Sequence, residues 1–164
     1  MDWIEELRRS AFERGERIRA KQRADSSEWI EIAGDLERVL SEDIRLRAIA
    51  IGNELILSYE DALAAIRIAT EREIAILGFD SGEVLEDGFQ VLGYTGYDAD
   101  VPFTGDWKAY VEAMNTEAER WVKDHPLGKN HGYILTSTSQ KEFDELQRWD
   151  MKQVFKPTGT RSQS

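Results

Sequence analysis

A chain of 164 residues with a net charge of −11 has the size of one domain and repels nucleic acid over most of its surface. It contains no cysteine, which excludes disulfides, thiolate catalysis, Cys-ligated zinc and iron–sulfur clusters. No apolar run approaches membrane-spanning length, and MDWIEELRRS places acids where a secretory leader has bases and an apolar core, so a cytoplasmic location is expected.

The charge is unevenly placed: residues 1–24 carry seven bases and five acids, leaving −13 on the remainder. Trp3, Leu7, Ala11 and Ile18 form a narrow stripe that predicts a helix over 2–23, suited to a packed appendage or to binding a partner. Asp25, Ser26 and Ser27 interrupt it. Trp29, Ile32, Ala33, Leu36, Val39 and Leu40 predict a second helix over 28–40. The run IRLRAIAIGNELIL at 44–57 fits either period in its first half, and the expectation is a helix to about Ile51, then an extended piece at Leu55–Leu57.

Ser58 predicts a helix cap, with Asp61 near the positive helix end and Ala62, Leu63, Ile66 and Ala69 facing the core. IAILGFD at 74–80 reads as a short buried strand. Glu83–Leu85 and Phe89–Tyr94 read as two further strands joined by Glu86-Asp87-Gly88, because Asp-Gly suits a tight hairpin. Asp106 caps a predicted helix over 107–124, with Trp107, Tyr110, Val111, Met114, Ala118, Trp121 and Val122 inward and Pro126 beyond its end. A strand is expected at Tyr133–Thr136, and Ser139 with Glu142 forms a capping box for a helix near 140–150. The expected architecture is α+β: a small, mostly antiparallel sheet covered by helices. The expected division is a helical N-terminal extension (1–43), an α+β domain (44–155) and a flexible tail (156–164).

Residues 73–107 hold eight carboxylates and no Lys or Arg. Such a stretch sets up a negative potential that attracts a basic partner. Asp80, Glu83, Glu86, Asp87, Asp98, Asp100 and Asp106 are the electrostatic contact candidates, and Tyr94 and Tyr97, beside glycines, are the aromatic anchors. The bland alternative is a solvated acidic face.

Chemistry has less to stand on. His125 and His131, in DHPLGKNHG, match no standard metal-ligand spacing and more readily cap helix carbonyls or simply face water. Gly128-Lys129 lacks the rest of a phosphate loop, and Asp98-Ala99-Asp100 lacks the Gly and Glu of a calcium loop. Ser137, Thr138 and Ser139 precede a helix and read as capping residues. No catalytic residue, metal or cofactor is assigned.

The segment SYEDALAAIRIATEREIAILGFD, the EDG hairpin, YTGYDAD and WKAYVEAMNTEAERWVKDHP together resemble the bacterial immunity protein 40 group of polymorphic-toxin systems, over roughly residues 44–126. Gly78-Phe79-Asp80 departs from that group's GGD. The resemblance implies a non-enzymatic inhibitor that binds a cognate toxin domain. The acidic stretch independently suits a basic partner, and charge and hydropathy make neither nucleic acid nor membrane an expected one. Two alternatives stand beside it: a small enzyme using His125 or His131 with a nearby carboxylate, and a regulatory module that oligomerises through helix 2–23.

Overall fold

The structure is a computed structural model that describes residues 34–51, 54–85, 88–91, 101–126, 128 and 130–154, with side chains through 149. The expected helix 2–23, the first part of helix 28–40 and the 156–164 tail lie outside the described residues.

The chain runs α1 (Asp35–Val39), α2 (Glu42–Arg47), β1 (Ile49–Ile51), β2 (Glu54–Leu57), α3 (Tyr59–Glu71), β3 (Ala75–Leu85), β4 (Gly88–Val91), α4 (Trp107–Asp124), β5 (His131–Thr138) and α5 (Gln140–Val154). The strands form one antiparallel sheet in the order β1-β2-β5-β3-β4. The α+β architecture expected from the sequence is the one found.

Local chemistry explains most boundaries. The Ser41, Ser58 and Asp106 side chains accept hydrogen bonds from the N–H groups of Ile44, Asp61 and Ala109, satisfying donors that a helix start leaves free. Ser139 does the same for Glu142 at the start of α5. Gly105, at φ 96°, makes the left-handed step that brings the chain to the Asp106 cap. At the end of α3 the chain turns through Glu73, a non-glycine residue at φ 55°. There the Ile74 N–H reaches back to the Ala69 carbonyl at 2.8 Å, and Trp107 Nε1 donates to the Glu73 carbonyl at 2.8 Å. These bonds hold a backbone conformation that a side chain disfavours.

Two expectations are corrected. The helix expected through Ile51 stops at Arg47, and Ile49–Ile51 is a strand paired with Glu54–Leu57. Ala48 is already extended, and the pairing buries Ala50 against Leu55 within the main core. Gly52-Asn53, read as an interruption, lies outside the described residues. The strands expected at 74–80 and 83–85 are one eleven-residue strand, β3, running through Ser81-Gly82. Its register shifts between Ile76 and Gly78, where a bulge re-aims the strand.

The main core lies between the sheet and helices α1, α3 and α4. It joins Leu36 and Leu40 to Leu55, Leu57, Ala62, Ile66, Ala69, Ile76, Phe79, Ala118, Val122, Tyr133 and Leu135. Leu36 and Leu40 thus belong to the body of the fold. Phe79 meets Trp121 and Tyr133 edge-on, with centroids 6.4 and 5.7 Å apart. A smaller cluster of Phe103, Trp107, Tyr110, Val111 and Phe143 ties the start of α4 to α5 through Ala75.

Buried polar groups brace the start of β3. Asn115 on α4, 2% exposed, accepts from the Ile76 N–H at 2.8 Å. Its amide nitrogen donates to the Ile74 carbonyl and to Thr70 Oγ1, each at 2.9 Å. Asp61, also buried, receives two hydrogen bonds from the Arg47 guanidinium at 3.1 and 2.8 Å, which ties α3 to the end of α2.

Candidate interaction surface

The acid-rich stretch maps onto β3, β4 and the start of α4. Along β3, side chains alternate between the two faces of the sheet. Phe79 and Ser81 point toward the helices, with their cross-strand partners Leu135 and Tyr133. Asp80 therefore points to the other face, where it is exposed. Glu83 lies on the helix side, half-buried, directly opposite His131. These two carboxylates belong to one ribbon but to opposite faces.

Asp106 is exposed, and its carboxylate is engaged as the α4 cap. The bond from Trp107 to the Glu73 carbonyl fixes that end of α4 beside the beginning of β3. Glu83 is eight residues further along β3, roughly 25 Å away at the strand rise. The structure thus separates Asp106 from Asp80 and Glu83. Glu86, Asp87, Tyr94, Tyr97, Asp98 and Asp100 lie outside the described residues.

Between Asp80 and Glu83 a pair of glycines shapes the ribbon. Gly82 and Gly132 face each other across β3 and β5. A Cβ on Gly82 would stand 2.2 Å from the Gln90 carbonyl oxygen and 2.7 Å from Phe89 Cζ; one on Gly132 would stand 2.4 Å from Ile56 Cγ2. Phe89 thus lies against bare backbone at Gly82 on β3, and Ile56 against bare backbone at Gly132 on β5. Beyond this point Leu85 and Val91 are 43% and 47% exposed, one on each face of the ribbon. These exposed apolar positions had no distinct sequence signal, because Leu85 and Val91 look like ordinary strand residues.

The histidines do different things. His125 ends α4: its backbone N–H bonds to the Trp121 carbonyl, its Nδ1 lies 3.0 Å from the same oxygen, and its ring stacks on Trp121 at 4.3 Å. Tyr133 Oη donates to the His125 carbonyl at 2.6 Å. Its position matches the capping role expected of it. His131 is half-buried in β5, and its Nδ1 is buried without a hydrogen-bond partner. Among the described residues no group of three His, Cys, Asp or Glu side chains is placed to hold a metal ion.

Elsewhere, a cleft of about 580 Å³ opens between the α3–β3 turn, the start of α4 and one face of α5. Trp107 forms part of its wall, and Arg72, Lys141 and Arg148 alternate with Glu73, Asp144 and Glu145. Three bases and three acids give it no field of one sign. Next to it, Asp35 meets Ser139 and Glu142 at the start of α5. Hydrogen bonds from Glu142 and Ser139 hold the Asp35 carboxyl below its ordinary value. Burial and the same Asp35 contact push Glu142 up. Further along α5, Leu146 and Trp149 are exposed at 57% and 58%. No helix among the described residues is long and apolar enough to cross a membrane.

No family model matches the chain, and no curated protein does either. The likeness to the immunity protein 40 group therefore rests on the residues quoted for it.

Proposed function

We propose that this protein is an immunity-type inhibitor that binds a toxin domain of basic character and neutralises it through an acidic surface. One observation carries the reading. The base-free stretch coincides with a β-ribbon that offers carboxylates at Asp80 and Glu83 and leaves Leu85 and Val91 uncovered. Negative charge steers a basic partner into encounter, and uncovered apolar side chains provide area to bury once contact is made. The sequence adds Glu86, Asp87, Asp98 and Asp100 as further carboxylates, with Tyr94 and Tyr97 as aromatic anchors. The resemblance to immunity proteins supplies the biological setting, a cell that must survive its own toxin.

The test is charge reversal. Replacing Glu86, Asp87, Asp98 and Asp100 by Lys is expected to slow association with the toxin domain and to weaken its dependence on ionic strength. Undiminished protection by the reversed protein would remove these carboxylates from the account.

A second reading has one observation in its favour. His131 Nδ1 is buried without a partner, and the residue lies opposite Glu83. A base beside a carboxylate is the start of an acid–base site. Under that reading His131→Ala abolishes function while stability and partner binding stay unchanged; full function in the variant rules it out.

A further inference from the structure

We infer that the outer edge of β4 is a strand-addition site, which takes an extended basic segment of the partner protein by continuing the sheet. The inference rests on the inhibitor reading and specifies how that surface holds its partner.

β4 is an end strand: no described strand pairs with its outer side. The register shows which of its backbone groups are free. The Val84 N–H bonds to the Asn130 carbonyl on the β5 side, so the N–H and C=O of Val84 point away from β4. In an antiparallel ladder, hydrogen-bonded and non-bonded pairs alternate. Glu83–Gln90 and Leu85–Gly88 are therefore the bonded pairs, and Val84–Phe89 and Gly82–Val91 the non-bonded ones. It follows that Phe89 and Val91 present their N–H and C=O groups outward. Gln90 and Val91 are exposed as well.

An open edge is a template for another strand, and proteins usually blunt it with Lys, Pro or a covering element. β4 is Gly-Phe-Gln-Val, with neither Pro nor any charge of its own, and the whole sequence from 73 to 107 has no Lys or Arg. What surrounds this edge is carboxylate: exposed Asp80 and half-buried Glu83 on the neighbouring strand. Main-chain hydrogen bonds of an added strand give affinity without regard to sequence, while its side chains decide specificity. A strand docking here meets negative charge on both faces of the ribbon, because Asp80 and Glu83 point to opposite faces, and a basic segment is the complement. The opposite edge is an internal control. β1 follows directly on α2, whose last turn carries Arg45 and Arg47, the latter paired with Asp61, so bases and acids are mixed at the sheet's other end.

The test titrates the isotope-labelled full chain with a short peptide of alternating Val and Lys, a Val-Glu counterpart and a backbone-methylated Val-Lys peptide, reading amide exchange by NMR. The Val-Lys peptide is expected to slow exchange at Phe89 and Val91 by about tenfold or more while leaving Gln90 and β1 unchanged. Added salt should weaken it, and the other two peptides should not bind. Val91→Pro removes one outward N–H at a strand end where proline is tolerated, and should reduce peptide binding with the fold retained. No binding by the basic peptide, equal binding by the acidic one, unchanged exchange at Phe89 and Val91, or unaltered binding to Val91→Pro would each overturn the inference. No toxin enters this assay. A failure here leaves the inhibitor reading to its own test, and a protein that gives no protection would fail there whatever the peptide does.

Discussion

Replacing Asn115 by Ala removes three hydrogen bonds at the point where α3, β3 and α4 meet. The Ile76 N–H and the Ile74 carbonyl lose their side-chain partner, and both residues are buried, at 0% and 4% exposure. Thr70 Oγ1 keeps its own donation to the Ile66 carbonyl, so its loss is smaller. A buried backbone group left without a partner costs about 1–3 kcal/mol, so two such groups predict a loss of about 2–6 kcal/mol. For a chain of this length that corresponds to a fall in Tm of roughly 4–24 °C. Asn115→Asp separates the donor and acceptor roles: it keeps an acceptor for Ile76 but turns lone pairs toward the Ile74 carbonyl and Thr70. It should be markedly destabilised at neutral pH and recover in acid, where a protonated carboxyl can donate again. Urea unfolding followed by circular dichroism measures both variants. A change below about 0.5 kcal/mol in Asn115→Ala, the range of ordinary surface substitutions, would refute the claim that this amide anchors the beginning of β3.

Gly82→Ala puts a methyl group into the Gln90 carbonyl and the Phe89 ring, and should cost about 1–3 kcal/mol while displacing β4, visible as faster amide exchange at Gln90. Glu73→Gly relieves a left-handed backbone and should stabilise by about 0.5–1 kcal/mol in thermal or urea unfolding, provided the Trp107 bond to its carbonyl persists. Part of the pH dependence follows from Glu142, and Glu37, whose carboxyl is also pushed up by burial, acts in the same sense. The folded pKa of Glu142 is raised above the ordinary 4.5, so its protonated form favours the folded state, and that contribution is lost as pH rises through the folded value. Asp35 acts in the opposite sense, and only as pH falls below its ordinary 3.8. Melts between pH 4.5 and neutrality should therefore show stability declining less with rising pH in Glu142→Gln than in the wild type, and identical slopes would contradict the pairing.

The local part of this fold was legible. Ser58, Asp106 and Ser139 mark helix starts because a cap needs only a short side chain and the next turn of backbone. What escaped depends on distant partners. Ile49, Ala50 and Ile51 satisfy helical and extended periods equally, and their pairing with β2 decides the matter. Ser81-Gly82 falls between two expected strands, yet β3 runs through it, and a Cβ at Gly82 would strike the Gln90 carbonyl on β4. For the surface, the one-sided charge was evident from composition along the chain. The faces were not: the strand register sends Asp80 and Glu83 to opposite sides, and the tie from Trp107 to Glu73 puts Asp106 at the far end of β3. The openness of Leu85 and Val91 is likewise a property of the assembled sheet, in which nothing described covers the end of the ribbon.

The most direct measurement is growth of cells that express a candidate cognate toxin domain of basic character, with and without co-expression of the full chain. The account predicts arrest by that domain alone, restored growth on co-expression, and a stable complex of the two proteins whose association slows in salt. A toxic domain that arrests growth equally in the presence of this protein and does not bind it would contradict the account.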